Sequence, residues 1–125
     1  MIEVKATREG LVGGKLVRVG TRSASGWIID IHIPFVALPS TRALNRFIRI
    51  QNPLNGIGRF AMVLDVGPWN THDDGYVFGG DRPQAESGVD MSGRPTNGAG
   101  IDLGEKIWLQ LGMKGNTNVL WEFIS

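Results

Sequence analysis

The sequence predicts an all-β, β-rich barrel, and three observations carry that expectation. Short runs with an apolar residue at every second position recur along the chain, which is the spacing of half-buried strands. Glycine and proline number 18 and 6 among 125 residues, as tight turns between short strands require. Extended helical spacing occurs at Leu103, Ile107 and Leu111, near the C-terminal end. A chain of 125 residues makes one domain over 1–125, large enough for a core without staples.

The elements follow in order. Ile2 to Ala6 alternates and reads as a strand, and Glu9 to Gly14 is a glycine-punctuated loop. That loop lacks the Gly-Lys-Ser/Thr ending of a phosphate loop. Leu16 to Val19 is a second short alternating run, and Arg22 to Gly26 is a polar turn. Trp27 to Ile33 reads as a strand ended by Pro34, with Asp30 and His32 two apart on one face. The two form either an oriented acid–base pair or a solvated strand face, and the second is the simpler reading. Ser40 caps a one-turn helix to Leu44. Phe47 to Ile50 and Ile57 to Leu64 form a hairpin about Asn55-Gly56, the strongest turn signal in the chain.

The second hairpin strand delivers Asp65 to its end, where Val66-Gly67-Pro68-Trp69 cannot continue a ladder. A carboxylate there must be hydrogen-bonded or solvated in a cleft. In a cleft it can act as an acid, whereas on the turn it can serve as a backbone cap. Residues 70–99 have no period, and a loop of that length in a compact domain is usually functional or disordered. It is expected to form one wall of a groove at the Asp65 end. Tyr76 and Phe78 lie near Trp69 in sequence and offer either a stacking surface for sugar rings or anchors onto the barrel. His72 and the loop carboxylates do not have EF-hand spacing, so no metal is expected. Asp102 reads as the N-cap of a helix over about 103–111 that Gly112 ends, and Val119 to Ile124 is the last strand. Val63, Ile101, Leu111, Val119 and Trp121 are the expected core.

Composition narrows the function classes. The net charge is +1 without a basic block, which argues against a nucleic-acid partner. The absence of cysteine excludes disulfides, thiolate zinc sites and a cysteine nucleophile. No stretch reads as a membrane span or a signal peptide, so a cytoplasmic or phage-associated location is expected unless a signal was removed.

The order of motifs resembles one family. A Ser-Ala-Ser-Gly turn (Ser23 to Gly26), Asp30, Ala37-Leu38-Pro39, Phe47 to Asn52 with Asn55-Gly56, Leu64 to Trp69, and Ile101-Asp102-Leu103-Gly104 follow one another. This is similar to the rare lipoprotein A family of double-psi β-barrels, with its T-A-S-G turn, L-P, T-N-x-x-N-G hairpin, D-R-G-P-F turn and I-D-L-S segment. The wider group includes expansins and some endoglucanases. The resemblance spans about residues 20–69 and 100–124. It implies a six-stranded double-psi β-barrel with one or two short helices, a polysaccharide groove and a long insertion at 70–99. Three positions depart from the pattern: Trp27 stands for an acidic residue, Phe35 for a histidine and Val66 for an arginine.

The resemblance implies Asp65, Asp102 and Asp30 as catalytic positions and peptidoglycan or another polysaccharide as partner, with no cofactor. Trp69, Tyr76, Phe78 and His32 are the candidate substrate-binding residues. The implied reaction is lytic transglycosylase-like cleavage. The sugar's own hydroxyl attacks the anomeric carbon, so one aspartate serves as acid and then base. The alternative is a non-catalytic polysaccharide-binding module or a virion structural barrel.

Overall fold

The computed structural model describes residues 1–9, 11–12, 15–16 and 20–124, and for 11–12 and 15–16 the backbone alone. Gly10, Gly13, Gly14, Ser125 and all but Leu16 of the expected run Leu16 to Val19 lie outside the described residues. Eight strands are present among the described residues: β1 (Ile2–Glu9), β2 (Leu11–Val12), β3 (Lys15–Leu16), β4 (Phe35–Leu38), β5 (Phe47–Gln51), β6 (Gly58–Val66), β7 (Ile101–Gly104) and β8 (Asn118–Phe123). Two short α-helices accompany them, α1 (Asp74–Val77) and α2 (Glu105–Gln110). β2 and β3 pair with each other, and the other six strands close into a barrel in the order β1-β7-β4-β6-β5-β8.

The pairing has an internal two-fold pattern. β1 runs parallel to β7 and antiparallel to β8. In the same way β6 runs parallel to β4 and antiparallel to β5. The antiparallel pairs β4·β7 and β5·β8 join the halves. The first three barrel strands, β1, β4 and β5, therefore stand to the last three, β6, β7 and β8, as equivalents. This interleaving is the double-psi arrangement.

The core fills the barrel from alternate positions. Val4, Val36, Leu38, Ile48, Ile50, Val63, Ile101, Leu103 and Val119 are at most 1% exposed. All five expected core residues are buried, with Trp121 at 2%. The β5–β6 hairpin forms as expected: Asn52 O accepts from Gly56 N–H, and Gly56 takes φ 76°, which glycine reaches without strain. Ser40 caps a 3-10 turn, its Oγ accepting from Arg42 N–H at 3.2 Å.

Two expectations are corrected, and one strand is added. Trp27 to Ile33 is not a strand. Asp30 Oδ1 accepts from His32 N–H at 2.7 Å, and this local bond folds the run into a turn before any ladder can form. Asp102 is not a helix cap: it lies inside β7, because Ile101 and Leu103 on either side both point into the core. The helix starts later, at Glu105. Finally, β4 exists although its four residues show no alternation, since all four are buried.

Candidate functional site

The strand register puts four residues side by side across four strands. Thr7 on β1 faces Asp102 on β7, Asp102 faces Ala37 on β4, and Ala37 faces Asp65 on β6. Val36 and Leu38 point into the core, so Ala37 between them points outward. Asp102, flanked by Ile101 and Leu103, points outward for the same reason. A register shift between Val36 and Ala37 brings Asp65, rather than Leu64, opposite Ala37. The two aspartates thus flank one alanine, itself 1% exposed. Their backbones are two strand spacings apart, about 10 Å.

The two aspartates are held differently. Asp65 is 2% exposed, and its Oδ1 accepts from Ala24 N–H and from Val66 N–H, both at 3.0 Å. It pins the Ser23–Gly26 turn to the end of β6, helped by a bond from Ser25 N–H to Leu64 O. Asp102 is half-buried. Its Oδ1 accepts from the Thr7 hydroxyl, and its Oδ2 lies 3.5 Å from where a Cβ on Gly67 would stand. Gly67 takes φ 145°, a conformation open to glycine, and the Asp65–Trp69 turn passes close to the Asp102 carboxylate. The row thus gathers the 23–26 turn, the 65–69 turn and Asp102. Thr7 had no signal in the sequence beyond its place in an alternating run.

Asp30 and His32 lie elsewhere, in the 27–34 turn. Asp30 is occupied with His32 N–H, and the His32 side chain is exposed. Phe35 is 2% exposed and packs with Ile29 and Leu64. Its ring also explains Gly104, where a Cβ would sit 2.5 Å from Phe35 Cε1.

The aromatic candidates separate. Tyr76 is 2% exposed; its hydroxyl donates to Gly100 O at 2.8 Å and accepts from Trp121 Nε1 at 2.9 Å. It is a core anchor with no ring face left for a sugar. Burial pushes its hydroxyl well above the ordinary tyrosine range. Phe78 stacks on Phe123 at 5.3 Å, with the Arg42 and Arg46 guanidiniums over it, and so belongs to a different surface from Trp69.

Trp69 is 38% exposed, and its Nε1 donates to Asn97 Oδ1 at 3.0 Å. The indole lines a groove of about 290 Å³ with Thr71, His72, Met91, Ser92 and Arg94. The far wall of this groove belongs to the 70–99 segment, which is built by its own carboxylates and amides. Asp90 Oδ1 accepts from the N–H groups of Ser92 and Arg94, and Oδ2 from Arg94 Nε at 2.8 Å. The Arg94 backbone N–H, followed by its side chain, holds the Asp90 carboxyl below the ordinary carboxylate range. Asn70 ties the walls together: its Oδ1 accepts from Met91 N–H and its Nδ2 donates to Gln84 Oε1, both at 2.9 Å. Among the described residues, no group of three His, Asp or Glu side chains is placed to hold a metal ion.

Comparison with curated proteins finds no match to this chain. Residues 1–121 match a domain of unknown function, DUF8814, and the chain belongs to that family.

Proposed function

We propose that this barrel binds a polysaccharide of the peptidoglycan kind in the groove beside Trp69, without cutting it. The observation that carries the reading is Trp69 itself: a partly open indole, fixed at its edge by Asn97, forming one side of a groove whose other members, Met91 apart, are polar or charged. Sugar rings stack on such faces, while hydroxyl groups find His72, Ser92 and Arg94 as partners. An indole already held in place loses little freedom on binding. The weight against cleavage comes from Asp65. At 2% exposure and turned onto Ala24, its carboxyl is not presented to a glycosidic oxygen.

A second reading keeps the single-acid transglycosylase chemistry and moves the acid to Asp102. It is favoured by the half-buried Asp102 carboxylate beside Gly67, with Thr7 to orient it. One experiment addresses both readings. The protein is incubated with purified sacculi, chitin and cellulose, bound protein is measured by co-sedimentation, and soluble products are examined by mass spectrometry for anhydro-sugar ends. The binding reading expects retention on at least one polymer, no anhydro ends, and at least about tenfold weaker retention of Trp69→Ala. Anhydro ends that disappear in Asp102→Asn establish the second reading. No retention on any polymer ends both.

A further inference from the structure

We propose that the outer wall of β5 and β6 is a docking surface for an acidic, amphipathic segment of a partner protein. This wall is separate from the Trp69 groove. Trp27, Phe47 and Phe60 expose 53%, 44% and 64% of their surface there. Together with Ile33, Met62 and Leu64 they line an apolar groove of about 240 Å³. Exposed aromatic rings gathered around one groove mark an interaction site more often than scattered single ones do.

The groove continues into a charged depression. Phe47 pairs with Met62 and Arg49 with Phe60, so the Phe60 ring stands between the apolar groove and the arginines. Arg49, Arg59 and Phe60 share a second depression of about 670 Å³, and Gly58 leaves its floor without a side chain. The Arg49 Nη2 lies 3.9 Å from where a Cβ on Gly58 would stand, so its guanidinium crosses that glycine.

The depression carries net positive charge, two arginines against the single carboxylate of Glu122. Elsewhere Arg8 meets Glu105, Arg42 meets Asp74, Arg82 meets Glu86 and Arg94 meets Asp90. Among the described residues neither Arg49 nor Arg59 has a carboxylate oxygen within 4 Å. Arg59 donates to its neighbour's carbonyl, Gly58 O, at 2.8 Å. Glu122 stands opposite Arg49 across β5 and β8 and also lies 3.8 Å from the Met1 ammonium, so one carboxylate is shared among these cations. A partner that inserts an apolar side chain beside Phe60 and sets carboxylates over Arg49 and Arg59 complements both halves of the surface.

Other occupants fit less well. A two-fold contact with a second copy would bring the arginine pair against itself. A nucleic-acid strand would find flat stacking faces, but the aliphatic floor of Ile33, Met62 and Leu64 suits a side chain better than a base, and the net charge is only +1.

The test uses the full chain and fluorescence anisotropy with three labelled probes. These are a short peptide alternating glutamate with leucine and phenylalanine, the same peptide with lysine for glutamate, and an oligothymidine strand. The glutamate peptide should bind in preference to the other two and weaken as salt is raised. The Arg49→Ala/Arg59→Ala double variant should bind it at least about tenfold more weakly, and Phe60→Ser likewise. The melting temperature should hold in both variants, because all three side chains are exposed. The arginine variant leaves the apolar groove intact and stands as the test even where Phe60→Ser folds poorly. The proposal is overturned by equal binding of the lysine peptide, by tighter binding of oligothymidine, or by wild-type affinity in the arginine variant. A dimer in light scattering that Phe60→Ser dissolves overturns it as well, since the occupant is then a second copy.

Discussion

Asp65 and Tyr76 are polar groups whose partners define what they do. Asp65→Ala removes the acceptor of two backbone N–H groups and should cost about 1–3 kcal/mol in urea unfolding, with faster hydrogen exchange at Ala24. Asp65→Asn keeps a carbonyl oxygen in the same place, so its loss should be smaller; equal losses would show that the negative charge, and not the acceptor, holds the turn. Tyr76→Phe strands both the Trp121 indole N–H and Gly100 O inside the core and should cost about 1–3 kcal/mol. Tyr76 also carries an alkaline signature. Its folded-state pKa is raised by burial, so its contribution is complete below the unfolded tyrosine value of about 10 and is lost as pH rises beyond it. Urea midpoints of the wild type should fall above that pH, and those of Tyr76→Phe should fall less.

At the scale of elements, β7 and the 70–99 segment matter most. Gly104→Ala would drive a methyl to 2.5 Å from the Phe35 ring and 2.9 Å from its backbone oxygen, and should cost about 1–3 kcal/mol. The backbone oxygen cannot swing aside as a ring can, so an unchanged melting temperature would show that β7 and β4 shift as a pair. The 70–99 segment responds to acid. The carboxyls of Asp74 and Asp90 both sit below their usual range, Asp74 chiefly through the Ser40 hydroxyl and Asp90 chiefly through the Arg94 backbone N–H. Their stabilisation is therefore complete above the unfolded aspartate value of about 3.9 and fades as pH falls through the lower folded values. Hydrogen exchange of Ser92 and Arg94 should rise below about pH 4 before the barrel amides respond. The sequence made some of these elements legible and hid others. The Asn55-Gly56 hairpin could be read because a turn residue set and two alternating runs agreed. Trp27 to Ile33 misled because alternation was present but the Asp30 side chain claimed the His32 N–H. β4 was hidden because Pro34 and Pro39 bracket four residues with no polar face.

For the whole molecule, the closed six-stranded barrel agrees with the expected fold class, while the candidate site depended on register. Asp65 and Asp102 could be singled out from their neighbours in sequence. That they flank Ala37, with Thr7 completing the row, depends on a shift of one residue between β4 and β6 that no local pattern announces. Tyr76 stayed between two roles for a related reason: an aromatic residue in a long polar segment gives no sign of which distant indole it will meet. Tyr76 and Val77 join the barrel core, so the 70–99 segment is part of the folding unit. Replacing 75–95 by a short linker should abolish cooperative thermal unfolding; a truncated chain that melts sharply would show the barrel to be independent of it.

The position of β1 has a consequence for synthesis. Both of its neighbours, β7 and β8, come from residues 101–104 and 118–123. During translation β1, the earliest made of the six barrel strands, waits for nearly the whole barrel to follow before either edge finds a partner. Its open edges and the inward side chains Val4 and Ala6 are exposed to other nascent chains for that interval. The finished barrel leaves none of its six strands with an open edge, so its vulnerability to aggregation belongs to its birth rather than to its native state.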